Sequence, residues 1–460
     1  MTLSKPASAS DPLSLCQQFG KALSADSPCS DQNLAKARLC LLDYLANVFA
    51  SQELPWVQQA ISLARNNSAR NDDGGAGIIA TSLRVSVQDA ALANAVAGHA
   101  LVRDDMHVNS VSHLGTVVIP TALALAEQGS GSGEQLLTAI ICGYEAGARL
   151  GSLLMDVDVA RKIRPTGLIG AFAAAATAAK SAALEQEPFS HALGFAANYI
   201  TGLNEWAATG SSDMYFHPGI AARNGISAMQ LAQLGAASAP GSLDGRAGLF
   251  AAFSKPVPAN PVLPFQAEAE IHAVFFKQVP ACNYAQTAAQ AALQLRTRHA
   301  FDLEELSRIR IRVPHAAAHY PGCDQKGPFH SILQARMSIY FNVASALLHG
   351  NFAEDNYHKF QNEKIDRLIA KSDLDVDEIL TGNYPGQQGA RITVTLQNQT
   401  RLDASLEEVT AASAEEVEGR FLQAATTCLG EDQAGRLVEC IASLKEQGSL
   451  ADFFRLLQKR

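Results

Sequence analysis

From residue 12 to about 260 the polar and apolar positions recur at helical spacing. In "SDQNLAKARLCLLDYLANVFA", Leu39, Leu42, Leu45, Val48 and Phe49 fall on one face behind a capping serine, which predicts a helix. "SVQDAALANAVAGHAL", "GEQLLTAIICGYEAGARLGSLL", "GAFAAAATAAKSAALE" and "SHALGFAANYITGLNEWAA" repeat that spacing with small residues. Alanine-rich faces let helices approach closely, so these segments are expected at the centre of an all-α bundle. No repeat period marks a solenoid.

The pattern changes after "SKPVPANPVLPF", which carries four prolines in twelve residues and reads as a crossing between domains. Beyond it, "AEIHAVFFKQVP" and "LSRIRIRVP" alternate like strands, and "GARITVTLQNQTRLDASL" reads as a hairpin around "QNQ". "YAQTAAQAALQLRTRH" and "HSILQARMSIYFNVASALLHG" between them read as helices, and helical spacing returns from about 412. The expected architecture is mainly α. Residues 1–265 read as an all-α domain and 266–405 as a smaller α+β domain, and the helices of 406–460 can pack back onto the first, which would leave 266–405 as an insertion.

Composition narrows the function without naming it. Hydrophobic residues make up 47% and charged residues 18% of 460, as expected of a globular chain too long for one small core. A net charge of −9 argues against a nucleic-acid partner and requires a locally positive pocket for any anionic substrate. The eight cysteines lie far apart with no CxxC pair, which predicts reduced, packed thiols and neither zinc nor a disulfide framework. "MTLSKPASASDPLSL" lacks a signal-peptide core, and "PTGLIGAFAAAATAA" is too short to span a bilayer. A cytoplasmic protein is expected.

The chemistry concentrates in "HALVRDDMHVNSVSHLG", residues 99–115, which holds three of twelve histidines, Arg103 and the adjacent Asp104 and Asp105. His113, just before Gly115 and the next helix, is placed to carry a proton near neutral pH. Any one of these groups reads as a cap or a satisfied core residue, whereas the cluster reads as a site. Asp104, His107 and His113 also offer a two-histidine, one-carboxylate metal set, ranked below proton transfer because the spacing matches no strong metal motif. In "ARKIRPTGLIG", Pro165 fits a first helical turn and Thr166 is a candidate cap. Lys162 and Arg164 beside that helix start make a carboxylate receptor. A surface loop is an equally good reading of that stretch alone.

"SSDMYFHPGIAARNG" adds His217 and Arg223, better read as helix-start packing. Lys277, after two phenylalanines, is a base if desolvated, and Tyr320 in "HYPG" is a candidate phenolic donor beside His319. No GxGxxG, P-loop, GxSxG or HExxH is present. Lysine, histidine, tyrosine and arginine without an evident cofactor suit removal of a proton next to a carboxylate.

These stretches resemble the MmgE/PrpD family, which includes 2-methylcitrate dehydratase, cis-aconitate decarboxylase and iminodisuccinate epimerase. The resemblance runs through "GHAL…DD…H…SHLG…VIPTALALAE", "CGYEAGARLG", "RPTGLIGAFAAAATAAK", "HPGIAARNG", "LDGRAGLFAAF" and "FKQVPAC". It implies a homodimer without metal or organic cofactor, and an interdomain site for small di- or tricarboxylates. His113 matches a catalytic histidine, Lys277 a catalytic lysine and Tyr320, loosely, a site tyrosine. Departures bear on the reaction. Val102 and Met106 stand where the lyases usually have aspartate and threonine, Arg164 where they have histidine and Met214 where they have lysine. "ACNYAQ" lacks their usual arginine and histidine after the cysteine.

The reading that follows is a metal-independent isomerase, an epimerase of an imino- or amino-dicarboxylate such as iminodisuccinate. His113 and Lys277 are its acid/base pair, with Tyr144 or Tyr320 as proton carriers. Arg103, Arg164 and Thr166 bind carboxylates, and Asp104 and His107 orient their neighbours. A dehydratase-like or decarboxylase-like lyase is the alternative.

Overall fold

The computed structural model describes residues 13–25, 30–68, 75–129 and 131–459, so the start of the chain and Cys29 lie outside the described residues. Its centre is built from helices buried on nearly every side. Asp31–Ala50 starts where Ser30 accepts the Asn33 N–H. Val87–His99 is buried along almost its whole length. Pro165–Ser181 has proline at its first turn, where the missing N–H costs nothing, and is buried from Pro165 to Ala179. A helix with no exposed face can exist only inside other helices, which is why small residues dominate Val87–His99 and Pro165–Ser181.

Glycine sets how closely they meet. Gly143, Gly147 and Gly151 repeat every fourth residue along helix Gly133–Leu154. A Cβ at each would meet Thr177, Ala173 and Ile169 in turn on the facing helix. The two helices therefore run antiparallel with one turn of each stepping past one turn of the other. Helix Asp213–Gln233 packs against both Pro165–Ser181 and Val87–His99, again at a glycine. A Cβ on Gly225 would lie 2.3 Å from Ala174 Cβ.

The apolar side chains separate into two clusters. One runs from Leu15 to Phe276 and resumes from Ala412 to Leu457. The C-terminal helix Ala414–Leu429 packs on Asp31–Ala50, with the Phe49 and Phe421 rings 6.1 Å apart. The other cluster is built mainly from residues 279–404, joined by Val102, Trp206 and Met214 among others. It contains a four-stranded sheet in the order Ser372–Val376, Leu306–Val313, Ala390–Leu396, Arg401–Leu406. The first pair is parallel and the others antiparallel, with Ile392 opposite Ala404 in the hairpin. Ala390–Leu396 alternates buried and half-buried positions, one face lying on helix Gln286–Arg298.

Three expectations change locally. "AEIHAVFFKQVP" forms a 3₁₀ turn, Glu270–Ala273, and only a two-residue strand, Val274–Phe275, because its partner is equally short. "HSILQARMSIYFNVASALLHG" is broken at Ser338, whose extended backbone ends one helix and whose hydroxyl caps the next through Phe341 N. Helix Gln186–Ala196 stops before Gly202, which sits at φ +92°, and the chain becomes helical again only at Trp206–Thr209. Among the described residues no helix is long and apolar enough to cross a membrane.

Two glycine substitutions test the packing in opposite directions. Gly225→Ala is expected to cost about 1–3 kcal/mol by overpacking. Gly419→Ala, on the exposed face of helix Ala414–Leu429 with nothing near its Cβ, is expected to stabilise by about 0.5–1 kcal/mol. Urea unfolding of both variants checks the pair; equal effects would contradict the close crossing.

Candidate active site

Helix Val87–His99 ends inside the protein, and the chain leaves it through an unusual turn. Val102 has φ +56°, a left-handed conformation that a β-branched residue seldom adopts. That turn aims the Val102 carbonyl at Lys277, whose Nζ donates to it at 2.8 Å. Lys277 reaches this spot because Met106 and His107 pair antiparallel with Phe275 and Val274, which fixes the residues just beyond against the 102–105 turn. Arg336, fully buried in the second cluster, donates to the Ala100 carbonyl at 3.2 Å. Both clusters thus grip the same turn.

Asp104 lies at the centre. Its Oδ2 is 3.0 Å from Nδ1 of His99 and 3.0 Å from Nδ1 of His113. Burial alone would raise its pKa, but His99, His113 and Lys277 together hold the carboxyl well below the usual range. It is therefore an anion and accepts only. Arg164 Nη2 is 2.6 Å from His99 Nε2, and a guanidinium only donates. His99 must then carry its proton on Nδ1 and give it to Asp104. Burial lowers the His99 pKa to about 3, so the ring is neutral.

The same logic fixes His113. Its Nδ1 faces two acceptors, the Asp105 carbonyl at 2.9 Å and Asp104 Oδ2 at 3.0 Å. The proton sits on Nδ1, and Nε2 is left with a lone pair. Burial and then Lys277 lower the His113 pKa from 6.5, against the pull of Asp104. His113 also lines a cavity of about 30 Å³. A neutral imidazole held in one tautomer by a buried carboxylate, with its other nitrogen unprotonated, has what a general base requires.

The cavity wall joins Arg164, Thr166, Asn283, Tyr284 and Tyr320 to apolar Val102, Met106, Trp206, Met214 and Met337. Arg164 Nη1 donates to Met214 O at 3.0 Å, and its guanidinium lies 5.5 Å from the Trp206 ring centre. Tyr320 accepts from Asn204 Nδ2 at 3.4 Å, and Tyr284 meets the Tyr384 hydroxyl at 3.0 Å. Burial pushes the pKa of both Tyr320 and Tyr284 upward, which keeps the phenols protonated. Cys282 completes the wall, 3.7 Å from the Cys323 sulfur.

Several expected site residues lie elsewhere. Arg103 turns to the far side of the chain from Asp104 and donates to Asn47 Oδ1 at 3.2 Å. His107 is held between Ser110 Oγ and Glu270 Oε2, each at 2.8 Å, so it pins the strand pair and cannot join a metal set with His113. Among the described residues no group of three or more metal-ligating side chains is arranged to hold an ion. Tyr144 is buried and donates to Asp105 Oδ2, whose other oxygen accepts the Gly115 N–H at 3.2 Å. It locks the start of the next helix and does not reach the cavity. Lys277 is fully buried behind the wall. Thr166 caps nothing; its Oγ1 accepts the His113 N–H at 3.1 Å while Arg164 takes the cap position. His217 and His319 lie outside the wall, the latter stacked on His315 at 4.1 Å. Sequence reasoning missed His99 as the anchor of Asp104, and it missed Asn283 and Tyr284. His99 carried a signal in its place at the buried end of an apolar helix.

Long-range proton–nitrogen NMR on histidine-labelled protein at pH 7 should find His99 and His113 neutral and protonated on Nδ1. A proton on Nε2 of His113 would remove the base. Asp105 supplies a second test. Burial, with Asp43 and Asp104 adding to it and Tyr144 opposing, holds its carboxyl up at about 7. A folded-state pKa raised above the ordinary 3.8 contributes stability that is present in acid and lost as pH rises through about 7. The stability of the native protein relative to Asp105→Asn should fall between these values and level off above them, as followed by denaturant unfolding.

Comparison with known proteins adds independent findings. Residues 19–261 match the MmgE/PrpD N-terminal domain and residues 279–446 the MmgE/PrpD C-terminal domain. The chain is 27% identical over 388 residues to cis-aconitate decarboxylase of Homo sapiens, covering 79% of this chain and 78% of that one. A cis-aconitate decarboxylase-like protein of Aspergillus oryzae is 30% identical over 210 residues, 44% of this chain and 43% of its own length. The mitochondrial 2-methylcitrate dehydratase of Yarrowia lipolytica is 31% identical over 140 residues, 28% of this chain and 26% of its own length.

Proposed function

This chain belongs to the MmgE/PrpD family, and from that premise we propose that it is an enzyme removing a proton next to a carboxylate of a small di- or tricarboxylate, as a lyase. The observation that carries the reading is the fixed tautomer of His113, with Nδ1–H held by Asp104 and the Asp105 carbonyl. His113 Nε2 takes the proton from carbon. The negative charge that develops spreads into the adjacent carboxylate, which Arg164 and the start of helix Pro165–Ser181 receive. In an elimination, the carbon–oxygen bond breaks and the departing hydroxyl takes a proton from Tyr320 or Tyr284. Lys277 acts from behind the wall, lowering the affinity of His113 for its proton and supporting the Asp104 anion.

The names of the relatives move the reading from epimerisation, expected first from the altered residues at 102 and 106, to lyase chemistry. A neutral base favours steps that begin with proton removal over decarboxylation, in which a protonated group must finish the reaction by protonating carbon. Epimerisation is the second reading, on one observation: Val102, Met106 and Met214 make part of the wall apolar, leaving few groups to expel hydroxide.

Proton NMR in D₂O with EDTA-treated protein and cis-aconitate, citrate, 2-methylcitrate, iminodisuccinate and aspartate separates the cases. An alkene signal appearing or disappearing by hydration establishes the lyase. Deuterium entering an intact skeleton establishes the epimerase. His113→Ala should lower the observed rate by about 10²–10⁴. A rate unchanged in that variant would remove His113 from the mechanism.

A further inference from the structure

A second, far larger cleft lies on the opposite side of the 101–104 turn, about 910 Å³ against about 30 Å³ for the cavity at His113. Arg103, Arg420 and the exposed Lys459 line it, together with Glu53, Glu354 and Asp355. We propose that this cleft is a binding site for a small polyanion, a compact carboxylate or phosphate, held between Arg103 and Arg420. The inference does not rest on the reaction assigned above.

The two arginines carry charge that the protein does not match. Arg420 donates from Nη1 to the Lys277 carbonyl at 2.8 Å and from Nε to the Glu416 carbonyl at 3.2 Å. Its Nη2 is buried and has no acceptor. Arg103 donates to the Asn47 amide oxygen. These partners are neutral oxygens, and a buried donor without an acceptor is an exception that calls for an explanation. Among the acids of the cleft, Glu354 already pairs with Arg336, and among the described residues neither Glu53 nor Asp355 forms an ion pair with Arg103 or Arg420. Asp43, fully buried nearby, is a further counter-charge; burial pushes its carboxyl up to about 6 although Arg420 and Arg103 pull it down. Burial, then Arg420, lowers the Arg103 guanidinium to about 10. Two like charges at one wall, neither in a salt bridge among the described residues, are relieved by a bound anion, and a guanidinium fork suits carboxylate or phosphate oxygens.

The placement links the cleft to the reaction site. Lys277 Nζ is held by the Val102 carbonyl, next to Arg103, and the Lys277 carbonyl is held by Arg420. An anion drawing both arginines together pulls on both ends of that contact.

Calorimetric titration of the full-length protein at low ionic strength with inorganic phosphate, pyrophosphate and citrate, using chloride at matched ionic strength as control, tests the proposal. The expected result is saturable one-to-one binding of at least one of them, unchanged in His113→Ala and weakened about tenfold or more in Arg420→Gln. Because Arg420 is packed, Lys459→Glu at the exposed rim serves as the second variant and should weaken binding several-fold without affecting folding. Preference for phosphate or for citrate identifies the source of the anion. Binding lost in His113→Ala but kept in Arg420→Gln and Lys459→Glu would place the anion in the reaction cavity and overturn the proposal, as would no binding above chloride.

Discussion

The structure around the site depends on one buried carboxylate. Asp104 is an anion with almost no exposure, and removing such a charge from water costs several kcal/mol unless protein groups replace the water. His99 and His113 supply two of those groups through one oxygen, and Lys277 supplies a charge nearby. Oδ1 has no partner, so the anion is held without surplus and has little tolerance for movement of either histidine. The left-handed backbone at Val102 follows from the same demand, because it places the carbonyl that tethers Lys277.

This arrangement explains why the neighbouring residues are so heavily committed. Asp105 is tied to Tyr144 and Gly115, fixing where the next helix begins and hence where His113 sits. His107 and Glu270 lock the strand pair that delivers Lys277. Arg149 extends the lock by bonding both Glu145 and Glu270. These polar groups form a buried frame whose product is one histidine with a defined tautomer. The cavity beside His113, about 30 Å³, has room for little more than a water molecule, and its apolar wall belongs to the second cluster, with Val102, Trp206 and Met214 brought to it from the first part of the chain. A ligand larger than that fits only if the wall moves, whereas Asp104 and His113 are held from behind by the frame.

Local signals in the chain were sufficient for much of this. Helical spacing and caps located Asp31–Ala50, Val87–His99 and Pro165–Ser181, because each is long and strongly patterned. Alternation located Leu306–Val313 and the hairpin Ala390–Leu396 with Arg401–Leu406. It failed at Val274–Phe275, where alternating residues pack between helices and pair with only two partners. Short elements of this kind are made by their surroundings rather than by their own pattern.

For the candidate site, sequence alone determined which stretches come together: 99–115, Arg164 with Thr166, Lys277 and Tyr320 are all at or against one cavity. It also determined the family, because several motifs recur in one order. Only the tertiary structure decided which member of each cluster faces the cavity. Arg103 and Asp104 are neighbours in the chain and diverge to opposite sides of it, one to the large cleft and one to the histidines. Tyr144 and His107, chemically plausible by type, are consumed by Asp105 and Glu270. The physical reason is that a side chain's role depends on which donors and acceptors its packing leaves unmatched. That balance is struck among residues more than a hundred positions apart, such as Ala100 with Arg336 and Val102 with Lys277.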